Sequence, residues 1–304
     1  MHRILFVLPI GNGLPIFGYG LFMMLGFVAG LAIACYRARR LGLPKDSALD
    51  VGLISILAGV IGARLAFLLI DYHPADGQDS VAEWFAIWRG GLTFQGGLIL
   101  ALLATMAYLW KKNIPVGRMF DAFAPALAVG VGFGRLGCLM NGCCWGKPAP
   151  ASFKWGMLFP PEIEPMIAQV RYAATWPEAW VTYVTNLGYP ADTVPPIPLY
   201  PTQLFSAIGL FLIAIGLVAA ERIWRRRSDG QVILWFIFVY SIGRFFVEYY
   251  RDDTPLRYGF GAFPGLRLGQ WLAVAMFVFG IVCQIYINRK AGNPGKDNHE
   301  GAGT

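Results

Sequence analysis

Residues Asp121 to Gly146 read DAFAPALAVGVGFGRLGCLMNGCCWG. The apolar run around them, 119–145, is long enough at 1.5 Å per residue to cross the roughly 30 Å hydrocarbon core of a bilayer. In lipid only a helix or a closed barrel satisfies its own backbone hydrogen bonds, so this stretch is read as a transmembrane helix with Arg135 inside it. The segment Gly132-Phe-Gly-Arg-Leu-Gly137 also fits GxGxxG. A spanning helix cannot provide the strand and βαβ context of a dinucleotide fingerprint, so that match is set aside.

Working outward, six more apolar stretches are expected to span, near 14–36, 48–70, 92–110, 201–220, 231–249 and 268–288. The composition agrees: 304 residues with 56% hydrophobic, 14% charged and a mean hydropathy of +0.52 depart far from soluble averages. The expected fold class is an all-α integral membrane protein of about seven transmembrane helices, with residues 1–288 as its membrane domain. Little positive charge and no clear small-residue cleavage pattern mark the N-terminal region, so the first span is expected to be retained.

Orientation follows from Lys and Arg, which concentrate in cytoplasmic connections. Arg37, Arg39, Arg40 and Lys45 follow the first span, Lys111, Lys112 and Arg118 the third, and Arg222, Arg225, Arg226 and Arg227 the fifth. The connection after the second span carries Asp71, Asp76, Asp79 and Glu83 against Arg89 alone. The N-terminus is therefore expected outside and the C-terminus inside. The net charge of +7 is explained by this bias, and no nucleic-acid partner is expected. Outside the bilayer, an interfacial arm rich in Trp is expected over 71–91 and a small external cap or head over 147–199. The tail, 289–304, is expected to be disordered and cytoplasmic.

Ionisable residues inside spans point to function, because a central Arg costs at least about 2.5 kcal/mol to insert. Arg64, Arg135 and Arg244 each fall roughly 10 Å below the outer face, counted at 1.5 Å per residue. Tyr19 and Gln95 fall at comparable depth. Arg244 and Glu248 share a helix face at i, i+4, with Arg251 three residues on, so an ion pair is expected there. One carboxylate among several arginines leaves a cationic site suited to an anion, and a phospholipid phosphate is the anion within reach. The alternative is that these arginines snorkel to headgroups or only hold helices together.

Cys138, Cys143 and Cys144 cluster at the outer end of the fourth span. Inert packing, a disulfide that leaves one thiol over, and a catalytic thiol all remain open. No His stands near them in sequence to complete a zinc site, and no metal is expected.

The run quoted above joins YGLFM (Tyr19–Met23), WRGGLTFQGGLI (Trp88–Ile99), MLFP (Met157–Pro160), YPTQLFSA (Tyr200–Ala207), GRFFVEYYRD (Gly243–Asp252) and LGQWL (Leu268–Leu272). Together, and in this order over nearly the whole chain, they resemble the prolipoprotein diacylglyceryl transferase family. The resemblance implies a multi-pass enzyme of the bacterial inner membrane, working at its outer leaflet without a cofactor. Its reaction moves the sn-1,2-diacylglyceryl group from phosphatidylglycerol to the lipobox cysteine thiol of a prolipoprotein signal peptide, releasing glycerol phosphate. By the same resemblance, Arg135, Arg244, Glu248, Tyr19 and Gln95 occupy catalytic positions, and Arg135, Arg244, Arg64, Asn141 and Gly146 belong to phosphatidylglycerol binding. Three positions depart from the family pattern: Gln95 stands for a His proposed as the base, Cys138 for an Asn, and Cys143 for an acidic residue. Gln cannot accept the thiol proton. Either the cationic site alone ionises the thiol, or Glu248 or a water relays the proton. The remaining readings are a divergent paralogue with another acceptor, and a non-enzymatic binder or transporter of anionic lipid.

Overall fold

A computed structural model describes residues 4–8, 14–71, 84, 91–150, 152–158, 198–223, 228–251 and 266–291. Strands β1 (Ile4–Leu8) and β2 (Leu14–Phe17) precede helices α1 (Gly18–Arg40), α2 (Ser47–Ala66), α3 (Phe94–Lys111), α4 (Val116–Asn141), α5 (Thr202–Ile223), α6 (Gln231–Tyr250) and α7 (Leu268–Ala291). Among the described residues, seven helices are long and apolar enough to cross a membrane. Two starts and ends differ from the expectation. Residues 14–17 pair antiparallel with β1 instead of opening a helix, and α7 continues through Ala291, into the stretch read as tail. Of the expected arm only Asp71, Trp84 and Gly91 are described, and 159–197 of the expected head and 292–304 of the tail lie outside the described residues.

The helices stop for local reasons. After α1, Gly42 takes φ 70° and the amides of Gly42 and Leu43 return to the carbonyls of Arg39 and Ala38 at 3.2 and 3.0 Å. This Schellman closure recurs after α3, where Asn113 takes φ 52° and Ile114 N–H reaches Leu109 O at 2.9 Å. After α4, Gly142 takes φ 69° and Cys143 N–H reaches Cys138 O at 3.1 Å.

The chain divides into two compact units, residues 31–123 and residues 1–30 with 124–304. In the first, α2 and α3 approach through glycines: a Cβ at Gly62 would lie 2.5 Å from the Gly96 carbonyl, and one at Gly97 2.8 Å from the Gly59 carbonyl. Small residues permit such backbone approach where lipid supplies no hydrophobic drive between helices. Ser55 and Thr105 hydroxyls pair across the seam at 2.9 Å. Arg37, one of the charges assigned to the first cytoplasmic connection, is buried and donates to the carbonyls of Asp121 and Ala122. The cause lies in α4: Pro125 lacks the N–H that Asp121 O would accept, and the guanidinium supplies the donor instead.

In the second unit the first half of α1 packs on the second half of α4 by the same device. A Cβ at Gly26 would lie 2.9 Å from Gly130 O, and one at Gly30 3.1 Å from Ala126 O. Leu210, Ala214 and Leu217 of α5 pack with Val232 and Phe236 of α6 and with Ala124 and Ala128 of α4. Between α6 and α7, the amides of Gln231 and Gln284 bond at 2.8 Å.

Candidate active site

The site grows from the outer ends, by the sequence reading, of α4 and α6. Glu248, in the last turn of α6, has no exposed surface and pairs with Arg244 one turn earlier, Nη2 to Oε2 at 2.6 Å. Arg251, just past the helix end, brings its Nε to 3.8 Å from the same oxygen. A buried carboxylate is tolerable only when paired in this way. Gly269 in the first turn of α7 makes room for it, since a Cβ there would meet the Glu248 carboxylate at 2.5–2.8 Å. The amino end of α7 thus faces a negative charge, as the helix dipole favours.

Residues 143–149 form a tied segment beside this pair. Gly146 bridges Arg251, and Lys147 N–H donates to Tyr250 O at 2.8 Å. On its other side, Tyr200 N–H donates to Lys147 O at 3.0 Å, Thr202 Oγ1 to Cys144 O at 2.8 Å and Gln203 Nε2 to Cys143 O at 2.8 Å. No side chain fits at Gly146, where a Cβ would sit 2.5 Å from the Tyr200 carbonyl.

Arg135 lies one turn inside α4 from Cys138, and among the described residues it has no carboxylate partner. It stands in electrostatic contact with Tyr19, Cys144 and Arg244. Tyr19, in the first turn of α1, crosses α4 at Gly137, where a Cβ would come within 3.2 Å of its ring. Among the described residues, Arg135, Arg244 and Arg251 gather around one carboxylate, Glu248. Nη1 of Arg244 is buried and has no hydrogen-bond partner among the described residues. An unsatisfied buried cationic donor is costly, and an anion delivered to it recovers that cost.

The three thiols belong to the same unit, with Sγ atoms all within 4.8 Å of one another. The Asn141 side chain bonds the Cys143 sulfur. Thiol hydrogen bonds from Cys138 and Cys143 draw Cys144 far below the ordinary thiol range, helped by Arg251 and Arg135 and opposed by burial. Its bond to Cys138 favours the Cys143 thiolate, but the bond to Cys144 and burial outweigh it and push Cys143 up to about 11.

Tyr19, Arg135, Asn141, Gly146, Arg244 and Glu248 therefore fall in one unit. Arg64 and Gln95 belong to the other. There Arg64 donates to the carbonyls of Trp84 at 3.1 Å and Gly91 at 3.0 Å and lies 5.2 Å over the Phe67 ring, while Gln95 is exposed in the first turn of α3. Sequence reasoning left Arg251, Thr202, Gln203 and Gly269 out of the candidate set. The i+3 spacing to Glu248 places Arg251 beside the expected ion pair but gives it no role; the other three act through backbone proximity that no spacing reports.

Seven membrane-length helices among the described residues, with arginines gathered around a buried carboxylate at the end of α6, define a polytopic membrane protein. The chain belongs to the prolipoprotein diacylglyceryl transferase family, whose profile it matches over residues 6–286. It is 30% identical over 284 residues to the phosphatidylglycerol–prolipoprotein diacylglyceryl transferase of Chromobacterium violaceum, covering 91% of this chain and 93% of that one. The enzymes of the same name from Gluconobacter oxydans and Clostridium tetani are 29% and 26% identical over 278 and 269 residues. Those alignments cover 90% and 88% of this chain and 88% and 92% of the relatives.

Proposed function

We propose that this protein transfers the sn-1,2-diacylglyceryl group of phosphatidylglycerol to the lipobox cysteine of prolipoprotein signal peptides. It does so in the bacterial inner membrane, with its N-terminus outside, its C-terminus inside and the site open to the outer leaflet. The observation that carries the reading is Nη1 of Arg244, buried and without a hydrogen-bond partner among the described residues, near Arg135, which has no carboxylate partner among them.

Arg135 and Nη1 of Arg244 receive the lipid phosphate, Glu248 and Arg251 fix the Arg244 fork, and Tyr19 and Asn141 line the approach of the thiol. Gly146 lets the 143–149 segment lie against the headgroup. Thiolate attack on the glyceryl carbon forms the C–S bond as the C–O bond breaks, and the electron pair leaves on the phosphate oxygen. The phosphate goes from one negative charge to two, so the same arginines bind the transition state more tightly than the ground state. Arg64 holds the carbonyls of Trp84 and Gly91, and Gln95 positions substrate without taking a proton.

The full-length protein in phosphatidylglycerol nanodiscs, given a lipobox peptide, is expected to yield the diacylglyceryl thioether and one glycerol phosphate per peptide. Lipid transfer between the faces of proteoliposomes with no thioether would replace this reading with that of a carrier. Arg135→Ala is expected to lower the rate about 10²–10³-fold, the usual loss for a charge-stabilising donor. Gln95→Ala is expected to lower it less, and the opposite order would refute the positioning role of Gln95.

A further inference from the structure

Thiol alkylation needs a thiolate, and a free Cys near pH 7 is only a few per cent ionised. The described part of the site offers no ordinary proton acceptor. Its carboxylate, Glu248, is engaged by Arg244 and Arg251, and none of the chain's histidines, His2, His73 and His299, is among the described residues.

It does offer three sulfurs. Cys138 is in the last turn of α4, and the left-handed Gly142 folds the chain back so that Cys143 lies over it. Cys144 itself takes φ 61°, a conformation costing a non-glycine residue roughly 1–2 kcal/mol. The carbonyls of Cys143 and Cys144 are held from α5 by Gln203 and Thr202, so the turn has ties beyond the one bond that the Cys143 thiol makes to the Cys138 carbonyl. The three Sγ atoms end within 4.8 Å of one another. Sulfurs on a tetrahedral Zn2+ at about 2.3 Å stand roughly 3.8 Å apart, so the ion is accommodated by side-chain rotation of under about 1 Å. The residues beyond the sulfurs also suit it: the Asn141 side chain bonds Cys143, and Arg251 and Arg135 offset the anionic charge of a tris-thiolate. A disulfide between any two would strand the third thiol in this cationic setting.

We propose that Cys138, Cys143 and Cys144 hold one Zn2+ as thiolates and that the lipobox thiol enters as the fourth ligand, ionised by the metal. The inference rests on the transferase reading above. On entering, the thiol loses its proton to solvent, since a metal-coordinated thiol is deprotonated. Its sulfur then forms the C–S bond as the glyceryl C–O bond breaks, with the electron pair going to glycerol phosphate. The thioether product is a weak ligand and leaves. No redox change occurs.

The test uses the full-length protein in nanodiscs. Zinc analysis is expected to give one ion per chain. Co2+ replacing it is expected to show thiolate-to-metal charge transfer in the near ultraviolet and tetrahedral bands in the visible. A lipobox peptide should shift those bands, and the same peptide with Ser for Cys should not. Cys138→Ser and Cys143→Ser should lose the metal while keeping the thermal unfolding of the wild type measured without metal. Removing zinc is expected to slow thioether formation about tenfold or more at pH 7, as the thiolate falls from complete to a few per cent. Retained zinc in both Ser variants, an intramolecular disulfide in the isolated protein, a Co2+ spectrum blind to the peptide, or equal rates with and without zinc each overturn the proposal. Equal rates leave the transferase reading standing. A peptide-responsive Co2+ site with no thioether supports the metal site and sinks the transferase reading.

Discussion

Glu248 shows what a single residue contributes here. It is fully buried and paired with two guanidinium groups, so replacing it with the isosteric Gln removes the negative charge that Arg244 and Arg251 share. Glu248→Gln is expected to cost about 3–5 kcal/mol of stability, as breaking a buried pair does, and to abolish thioether formation; thermal unfolding with and without phosphatidylglycerol checks the first part. Gly146→Ala should be nearly as damaging to activity, because its Cβ meets the Tyr200 carbonyl and parts the 143–149 segment from α5. The pairing of Arg244 with Glu248 was legible from four-residue spacing alone. The partners of Arg64 were not, because they are main-chain carbonyls of Trp84 and Gly91, 20 and 27 positions away. Arg37 misled in the same way, counted as a loop charge although it serves carbonyls in α4.

Helices announce themselves more reliably than their neighbours do. Each apolar run yielded a helix because lipid leaves few alternatives. Leu14–Phe17 escaped, since ILFVL and LPIF are apolar at every position and carry neither a twofold nor a 3.6-residue rhythm to separate strand from helix. The ends were written in Gly42, Asn113 and Gly142, the left-handed residues that close α1, α3 and α4. Asn113→Ala is expected to destabilise by about 1 kcal/mol and Asn113→Gly to be neutral or stabilising, read by thermal unfolding. Gly26→Leu tests the α1–α4 seam: a side chain directed at Gly130 O pushes α1 outward, taking Tyr19 with it. Its thioether rate should fall well below that of Gly20→Leu, since nothing lies within 4 Å of a Cβ at Gly20.

For the whole molecule, orientation is the property that loop charge alone supplies. Arg39 and Arg40 in the last turn of α1 and Lys45 beyond it are exposed, so the positive charge on which the expected orientation rests survives the burial of Arg37. A fluorescent-protein fusion after Thr304 is expected to be bright in the cytoplasm; a dark, exported fusion would invert the chain and move Arg135 and Arg244 to the wrong leaflet for an exported peptide.

The turn at Gly142 carries one more implication. Positions 138, 143 and 144 are gathered by the left-handed Gly142 and by hydrogen bonds from Cys143 N–H, Thr202 and Gln203 to main-chain carbonyls, which do not depend on those three side chains and to which the Cys143 thiol adds a bond to the Cys138 carbonyl. The scaffold is in effect a socket. In the proposed mechanism the arginines beside it keep the anion, while the groups plugged into it can be exchanged a residue at a time. A membrane enzyme built this way can change how it ionises its nucleophile without relearning how to hold its lipid.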